Sequence, residues 1–245
     1  MRTLKIGGKT LEIYDSIDEL PIRRFHKFNK YMLVDSGIGS DLNSINDHIA
    51  KTKAYISKSD NKKAFTQLEN LRQSLYLISQ ETSIKHLSFV ALIKSVDGKD
   101  ITDISDGNMK RILSEINTVK KGFFENIIDD LKKKLENEIR LYFPSHFDDS
   151  VLKEYYNRVK LKVLLQLESI IKEVDNTDKI ERIDDFLLSL SNPKIFFGKD
   201  SAEIQYDKQF EDMCLYLTQE LSINVDNMNV LQFYNSFEYL KKKNK

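Results

Sequence analysis

Between Gly122 and Val174 the chain carries two long runs, each with one apolar face, hinged on Phe143-Pro144-Ser145. In the first arm, Phe123 to Phe143, apolar residues fall at Phe124, Ile127, Ile128, Leu131, Leu135, Ile139 and Tyr142. Steps of three and four put these residues on one side of a 3.6-residue helix. Lys132, Lys133, Lys134, Glu136 and Arg140 fill the other side. In the second arm, Asp149 to Val174, the spacing repeats at Leu152, Tyr155, Tyr156, Val159, Val163, Leu167, Ile170, Ile171 and Val174. Pro144 cannot continue the first arm, because it lacks an N–H and its ring clashes with the preceding turn. Asp148, Asp149 or Ser150 supplies an acceptor for the free N–H groups that open the second. So short a connection predicts antiparallel neighbours, a long helical hairpin. Leu161, Leu164 and Leu165 widen the second arm's apolar face. That width predicts contact on more than one side, with this chain or with another copy.

The remaining periodicities predict a mostly α protein, a multi-helix bundle with a small N-terminal β-hairpin. Leu4, Ile6, Leu11 and Ile13 alternate with polar residues around Gly7-Gly8, a hairpin turn. Asp97-Gly98 marks a second small β element, expected to pair with the first. Helices are expected over Ser16 to Val34 with Pro21 in the first turn, Asp41 to Ser57, and Lys62 to about Leu92 with a bend near Glu81-Thr82-Ser83. Phe65, Leu68, Leu71, Leu75 and Ile78 mark the apolar face of the last of these. Further helices follow over Asn108 to Ile116, Thr177 to Leu190, Tyr206 to Leu221 and Val230 to Lys243. Ser191-Asn192-Pro193 ends one of them, and Phe196 and Phe197 beyond it are expected to plug the core. Asp175-Asn176-Thr177 is the one weak boundary, which gives a first body at 1–176 and a C-terminal helical segment at 177–245 packed on the same core.

Composition excludes several classes. Lys plus Arg equals Asp plus Glu at 38 each, so nucleic acid is not expected as the main ligand. The terminal run Lys241-Lys242-Lys243-Asn244-Lys245 reads first as a helix end whose cations suit the macrodipole. One cysteine, Cys214, makes no internal disulfide and fits a reducing compartment. No apolar run is long enough for a membrane span, and Met1-Arg2-Thr3-Leu4-Lys5 lacks a signal-peptide core, so a cytoplasmic origin is expected.

No set of residues spells out a reaction. Gly8-Lys9-Thr10 fails as a phosphate loop, because Thr3 stands where the motif needs glycine. Gly37-Ile38-Gly39-Ser40 follows a helix and reads as a cap. His26, His48, His86 and His146 share no ligand spacing with one another or with Cys214. His26 and His48 are expected on the surface, His86 half in the core, and His146 in the interhelical turn. Cys214, among Met213, Leu215 and Leu217, reads as a buried thiol. Asp100, Asp103 and Asp106 are spaced by three where a calcium loop needs two. Asp129-Asp130 and Asp184-Asp185 read as solvated faces. Tyr155, Tyr156, Phe233, Tyr234 and Phe237 read as core, with an interface as the alternative. No catalytic, cofactor-binding or metal-binding residue is therefore expected, and no cofactor.

Three stretches carry a resemblance: Leu11-Glu12-Ile13-Tyr14-Asp15-Ser16-Ile17-Asp18-Glu19-Leu20-Pro21-Ile22-Arg23-Arg24-Phe25, then Asp35-Ser36-Gly37-Ile38-Gly39-Ser40-Asp41, and Met228-Asn229-Val230-Leu231-Gln232-Phe233-Tyr234. They resemble virion- and tail-region structural proteins of crAss-like tailed bacteriophages. The resemblance implies a non-enzymatic virion structural protein, a multi-copy head–tail connector or tail ring component that docks on portal or tail proteins. A tail assembly chaperone or a packaged internal cargo protein is the alternative it leaves open. It implies other phage structural proteins and copies of this chain as partners, and a virion assembled in the host cytoplasm. It defines no functional residues.

Overall fold

The computed structural model describes residues 1–34, 42–79, 84–116, 123–144, 149–190 and 201–243. Two hairpins build one antiparallel sheet of order β1-β2-β3-β4: β1 Arg2–Ile6, β2 Lys9–Ile13, β3 Ile93–Val96 and β4 Lys99–Asp100. The turns explain the register. Gly7 and Gly8 have φ of 57° and 78°, and Asp97 and Gly98 have 49° and 77°, the paired positive values that a two-residue hairpin turn needs. Asp97 then joins the hairpins: its N–H donates to the Thr10 carbonyl at 2.8 Å, and its Oδ1 accepts from the Thr10 N–H at 2.8 Å. The expected pairing of the two β elements is present as β2 against β3, with Leu11 opposite Val96. Leu11, Ile13 and Ile93 are fully buried, so the sheet presents one face to the core.

Ten α-helices accompany this sheet among the described residues, a mostly α architecture with an N-terminal β element, as the sequence predicts. Two compact units divide the chain: Met1–Tyr142 with Lys194–Lys245, and Phe143–Pro193. That division differs from the 1–176 and 177–245 bodies expected from the sequence. The C-terminal helices belong to the first unit, and the excised segment is internal.

In the first unit, α1 Ile22–Val34 packs against α4 Ile84–Ala91, α9 Ala202–Leu221 and α10 Val230–Lys243. Helix α4 also contacts α5 Asp106–Ile116 and α6 Phe123–Tyr142. Phe124, Ile127, Ile128, Leu131, Leu135 and Ile139 of α6 are all buried, the face its periodicity predicts. Tyr142, expected on that face, is exposed at the helix end. Phe124 meets Phe89 of α4 with ring centroids 5.2 Å apart.

Helix α1 starts later than its sequence suggests. Ser16 to Leu20 form a separate turn, and Pro21 makes an isolated bridge with Asn229. The reason is tertiary. Glu138 of α6 accepts from the Ser16 hydroxyl at 3.0 Å and the Ile17 N–H at 2.9 Å. The C-terminal segment does the rest: Leu231 N–H donates to Ile17, Val230 N–H to Leu20, and Ile22 N–H to the Met228 carbonyl. The same junction starts α10, where Asn229 and Gln232 satisfy each other's N–H in a reciprocal cap at 2.8 and 3.1 Å.

The two arms read around Phe143-Pro144-Ser145 fall in separate units, α6 in the first and α7 Asp149–Lys172 in the second. Within the second unit α7 pairs with α8 Thr177–Leu190 as an antiparallel hairpin. Lys162 reaches Asp184 at 2.5 Å, and the Arg158 guanidinium lies 4.8 Å from the Phe186 ring centroid. Glu173, with φ of 56°, turns the chain after α7 without a glycine. Within the first unit α2 Leu42–Ser57 and α3 Asn61–Ser79 form a second antiparallel hairpin. The expected bend at Glu81-Thr82-Ser83, the cap at Gly37 to Ser40, the His146 turn and the plugs Phe196 and Phe197 lie outside the described residues.

Candidate docking surfaces

Helix α3 is inverted relative to its own hydrophobicity. Its buried side is Ala64, Gln67, Asn70, Gln73 and Ser74, at helical steps of three and four. Its open side is Phe65, Leu68, Leu75 and Ile78, with Phe65 63% exposed. The expected apolar face is therefore real as a stripe, but it points outward, and only Leu71 of the five is half-buried. The partner helix shares the arrangement. His48 and Thr52 of α2 are buried, while Ile49 and Ile56 are exposed. Polar pairing holds the inner face together, with His48 Nδ1 3.0 Å from Gln67 Oε1. The Thr52 hydroxyl donates to the His48 carbonyl at 2.7 Å. That pairing is incomplete among the described residues: Gln73, 1% exposed, has no partner there for either amide atom, and the buried Ser74 hydroxyl has none.

The second unit repeats the inversion. Arg158, Lys162, Leu165 and Ser169 line the α8 side of α7 and are only half-buried. Asn176 fills the turn, donating toward Ser169 Oγ at 3.3 Å and the Leu165 carbonyl at 3.5 Å. Tyr155, Tyr156, Leu161, Val163, Leu164, Leu167, Ile170, Ile171 and Val174 are all exposed, with Ile170 and Ile171 at 76%. The sequence reading put most of these inside. The correction has a physical reason: α8 meets α7 along the side that carries Arg158, Lys162 and Ser169, and Ile183 is its one deeply buried apolar residue among the described side chains. Isolated exposed apolar residues are ordinary, but a contiguous face of this size is not.

The polar clusters of the first unit hold helices together. His26, expected on the surface, is instead sandwiched between Tyr206 and Phe210, with centroids at 4.7 and 3.9 Å. Its Nε2 lies 2.8 Å from Asp207 Oδ1, and Lys30 meets Oδ2 at 2.5 Å. Burial outweighs that carboxylate and pulls the His26 pKa below its ordinary value. Burial opposes the charge on Asp207 too, yet bonds from Lys30 and His26 hold its carboxyl below the usual range. Arg23 bonds both Glu211 and Asp226, tying α1 to α9 and to the turn before α10. His48 is likewise buried, not solvated. His86 sits half-buried, 3.1 Å from Glu125 Oε1, as its sequence position suggests.

Among the described residues, those weighed for chemistry do not converge. Cys214 is buried on α9, and burial pushes its thiol pKa up, away from a reactive thiolate. Asp106 opens α5 and accepts from Tyr31 at 2.8 Å and Lys27 at 2.6 Å. Asp103 accepts from the Ser105 N–H at 2.8 Å in its own loop. Beside them lies a cavity of about 500 Å³ between the second hairpin and α5, lined in part by Lys9, Asp100, Arg111 and Glu115. Its charges answer one another, since Glu115 is held by Lys9 at 2.9 Å and Arg111 at 2.6 Å. Gly8 ends the first hairpin turn and Lys9-Thr10 open β2, an arrangement that is not a phosphate cradle. Asp129 pairs with Lys85 at 2.9 Å, and Asp184 with Lys162; both carboxylates are exposed. Phe233 and Phe237 pack edge-on at 5.1 Å, and Phe233 is core.

No family model, curated protein or solved structure matches this chain. Among the described residues no group of three or more His, Cys, Asp or Glu could hold a metal ion, and no helix is long and apolar enough to cross a membrane. The outward stripes on α3 and α7 are what the residue pattern alone could have flagged. Their apolar residues recur at steps of three and four, and on α7 they spread around more of the circumference than one neighbour can cover.

Proposed function

We propose that this chain is a non-enzymatic structural protein that works by docking on other proteins, present in several copies. The observation that carries this reading is the exposure of two long apolar helix faces, on α2–α3 and on α7. Water-facing stripes of Leu, Ile, Phe and Tyr lose about 25 cal/mol of favourable transfer for each Å² left uncovered, so a partner that covers them is strongly favoured. Combined with the resemblance of Leu11 to Phe25 and Met228 to Tyr234, the reading is a tailed-bacteriophage head–tail connector or tail ring component that docks on portal or tail proteins. A phage assembly chaperone or packaged cargo protein, using the same faces, is the second reading. Quantitative mass spectrometry of purified particles separates them from each other and from error. A connector appears at a fixed, repeated copy number per particle. A cargo protein appears at variable number, and absence from particles leaves only the chaperone.

A further inference from the structure

We infer that the groove beside the start of α10 binds the backbone of an extended, uncharged segment of a partner protein. This rests on the docking reading above and names what one further surface takes. The groove holds about 520 Å³, inside the roughly 300–1,000 Å³ usual for ligand sites. It lies where the 3-10 turn Val225–Asn227 meets the first turns of α10. Asn224, Asn227, Gln232 and Asn235 line it, over Ile223 and Met228. Four carboxamides thus share one groove, and no lining residue is charged, although 31% of the chain is.

The fold decides which end of these amides is on offer. Asn224 Oδ1 accepts from the Asp226 N–H at 3.0 Å, and Gln232 Oε1 accepts from the Asn229 N–H at 3.1 Å. With both oxygens occupied, the NH2 ends of Asn224 and Gln232 are left to donate outward. Neither has a partner among the described residues, and neither amide end of Asn227 or Asn235 has one there.

Such a surface is rich in donors, neutral, and fixed at Asn224 and Gln232 before a ligand arrives, which lowers the cost of ordering it. Its match is a neutral row of carbonyl oxygens. Gln232 and Asn235 stand three apart on α10, and side chains so spaced lie about 5–6 Å from each other. Carbonyls on one side of an extended chain recur every second residue, at about 6.6–6.8 Å, a difference that two rotatable side chains absorb. Asn227 and Asn235 keep free oxygens as well, which can accept from the segment's own N–H groups. Ile223 and Met228, both half-buried, floor the groove for one apolar side chain. No lining residue is aromatic, so a sugar finds no ring to stack on, and none is cationic, so a phosphate finds no counter-charge.

The test is side-chain amide NMR on the isotope-labelled full chain. The probes are two blocked, uncharged pentapeptides of unlike side chains, acetyl-Thr-Leu-Thr-Leu-Thr-amide and acetyl-Ser-Val-Ala-Val-Ser-amide. Both should shift the NH2 resonances of Asn224, Asn227, Gln232 and Asn235, with a dissociation constant of about 1 mM, the affinity of a handful of net hydrogen bonds. That constant should stay within about threefold between roughly 50 and 500 mM salt, because no ion pair forms. Asn227→Asp combined with Asn235→Asp keeps the shape but exchanges two donors for acceptors that repel carbonyl oxygens. Neither side chain bonds within the described fold, so the backbone spectrum should persist while affinity falls about tenfold or more. No shift at about 10 mM of either peptide overturns the inference. So does a smaller loss in the double variant, or a salt dependence outside that window. Maltotriose shifting the same resonances at least as readily as the peptides also overturns it, in favour of a sugar site. Absence of the protein from phage particles leaves all of these outcomes untouched, so this inference and the virion reading fail separately.

Discussion

Arg24 is the side chain whose replacement should cost the first unit most. It is buried on α1 and donates to the carbonyls of Ala91 at 3.1 Å, Ile93 at 2.8 Å and Ile101. The Tyr14 ring stacks near it, with its centroid 5.7 Å from the guanidinium carbon. One planar fork thus closes α4, β3 and the irregular segment after β4 onto α1. Burial lowers the Arg24 pKa, which states directly that the charge is held against a desolvation cost. Each bond from a charged donor contributes about 1.5–3 kcal/mol, and burying the cation offsets several kcal/mol of the total. Arg24→Met removes that offset but leaves three carbonyls without a donor, at about 1 kcal/mol or more apiece. The expected net loss is about 3–4 kcal/mol, near the upper end for a point substitution. Arg24→Lys should lose roughly half as much, since an ammonium is a point donor that cannot span three divergent acceptors. Because the chain has two units, amide hydrogen exchange over Ile93 to Ile101 is a cleaner readout than a global melt. Protection there should fall several hundredfold in Arg24→Met, which is about 3–4 kcal/mol at 1.4 kcal/mol per decade. A loss under about 1 kcal/mol, or an Arg24→Lys variant indistinguishable from wild type, refutes the account of the fork.

Three further outcomes follow from the same reasoning. Gln73→Met keeps the volume but removes one amide group whose two polar atoms are unpartnered among the described residues, so chemical denaturation should show a gain of about 1–2 kcal/mol; a loss would mean that the inner face of α3 is not as described. His26 has a pKa lowered by burial, so the unfolded chain takes up the proton first as pH falls through 6.5, and stability should fall from pH 7.5 to 5.5. His26→Phe, which keeps the stack with Tyr206 and Phe210, should flatten that slope in urea titrations at the two pH values. Asn229→Ala should cost about 1–2 kcal/mol in thermal or urea unfolding, through loss of the reciprocal cap with Gln232. It also loses the bond from Asn229 Nδ2 to the Asp18 carbonyl at 2.6 Å.

Local chemistry determined a large part of this molecule. Gly7-Gly8 and Asp97-Gly98 set both hairpins, because few residues accept the positive φ that such turns require. The stripe from Phe124 to Ile139 set both the helix α6 and the side it buries. In that run the polar residues leave only one face able to enter a core. Local chemistry also said that α3 and α7 are two-faced helices, since periodicity is an intrinsic property of the residue order. Which face turns inward is another matter. It depends on what lies opposite, and Gln73 and Ser74 went in while Phe65 and Ile170 stayed out. The same holds for His26, whose polar neighbours along α1 gave no hint of Tyr206 and Phe210 closing over it from α9. The late start of α1 was set by Glu138 and by residues 228–231, more than a hundred positions away. Propensity and patterning act within about four residues along the chain, whereas burial is decided only when distant segments meet.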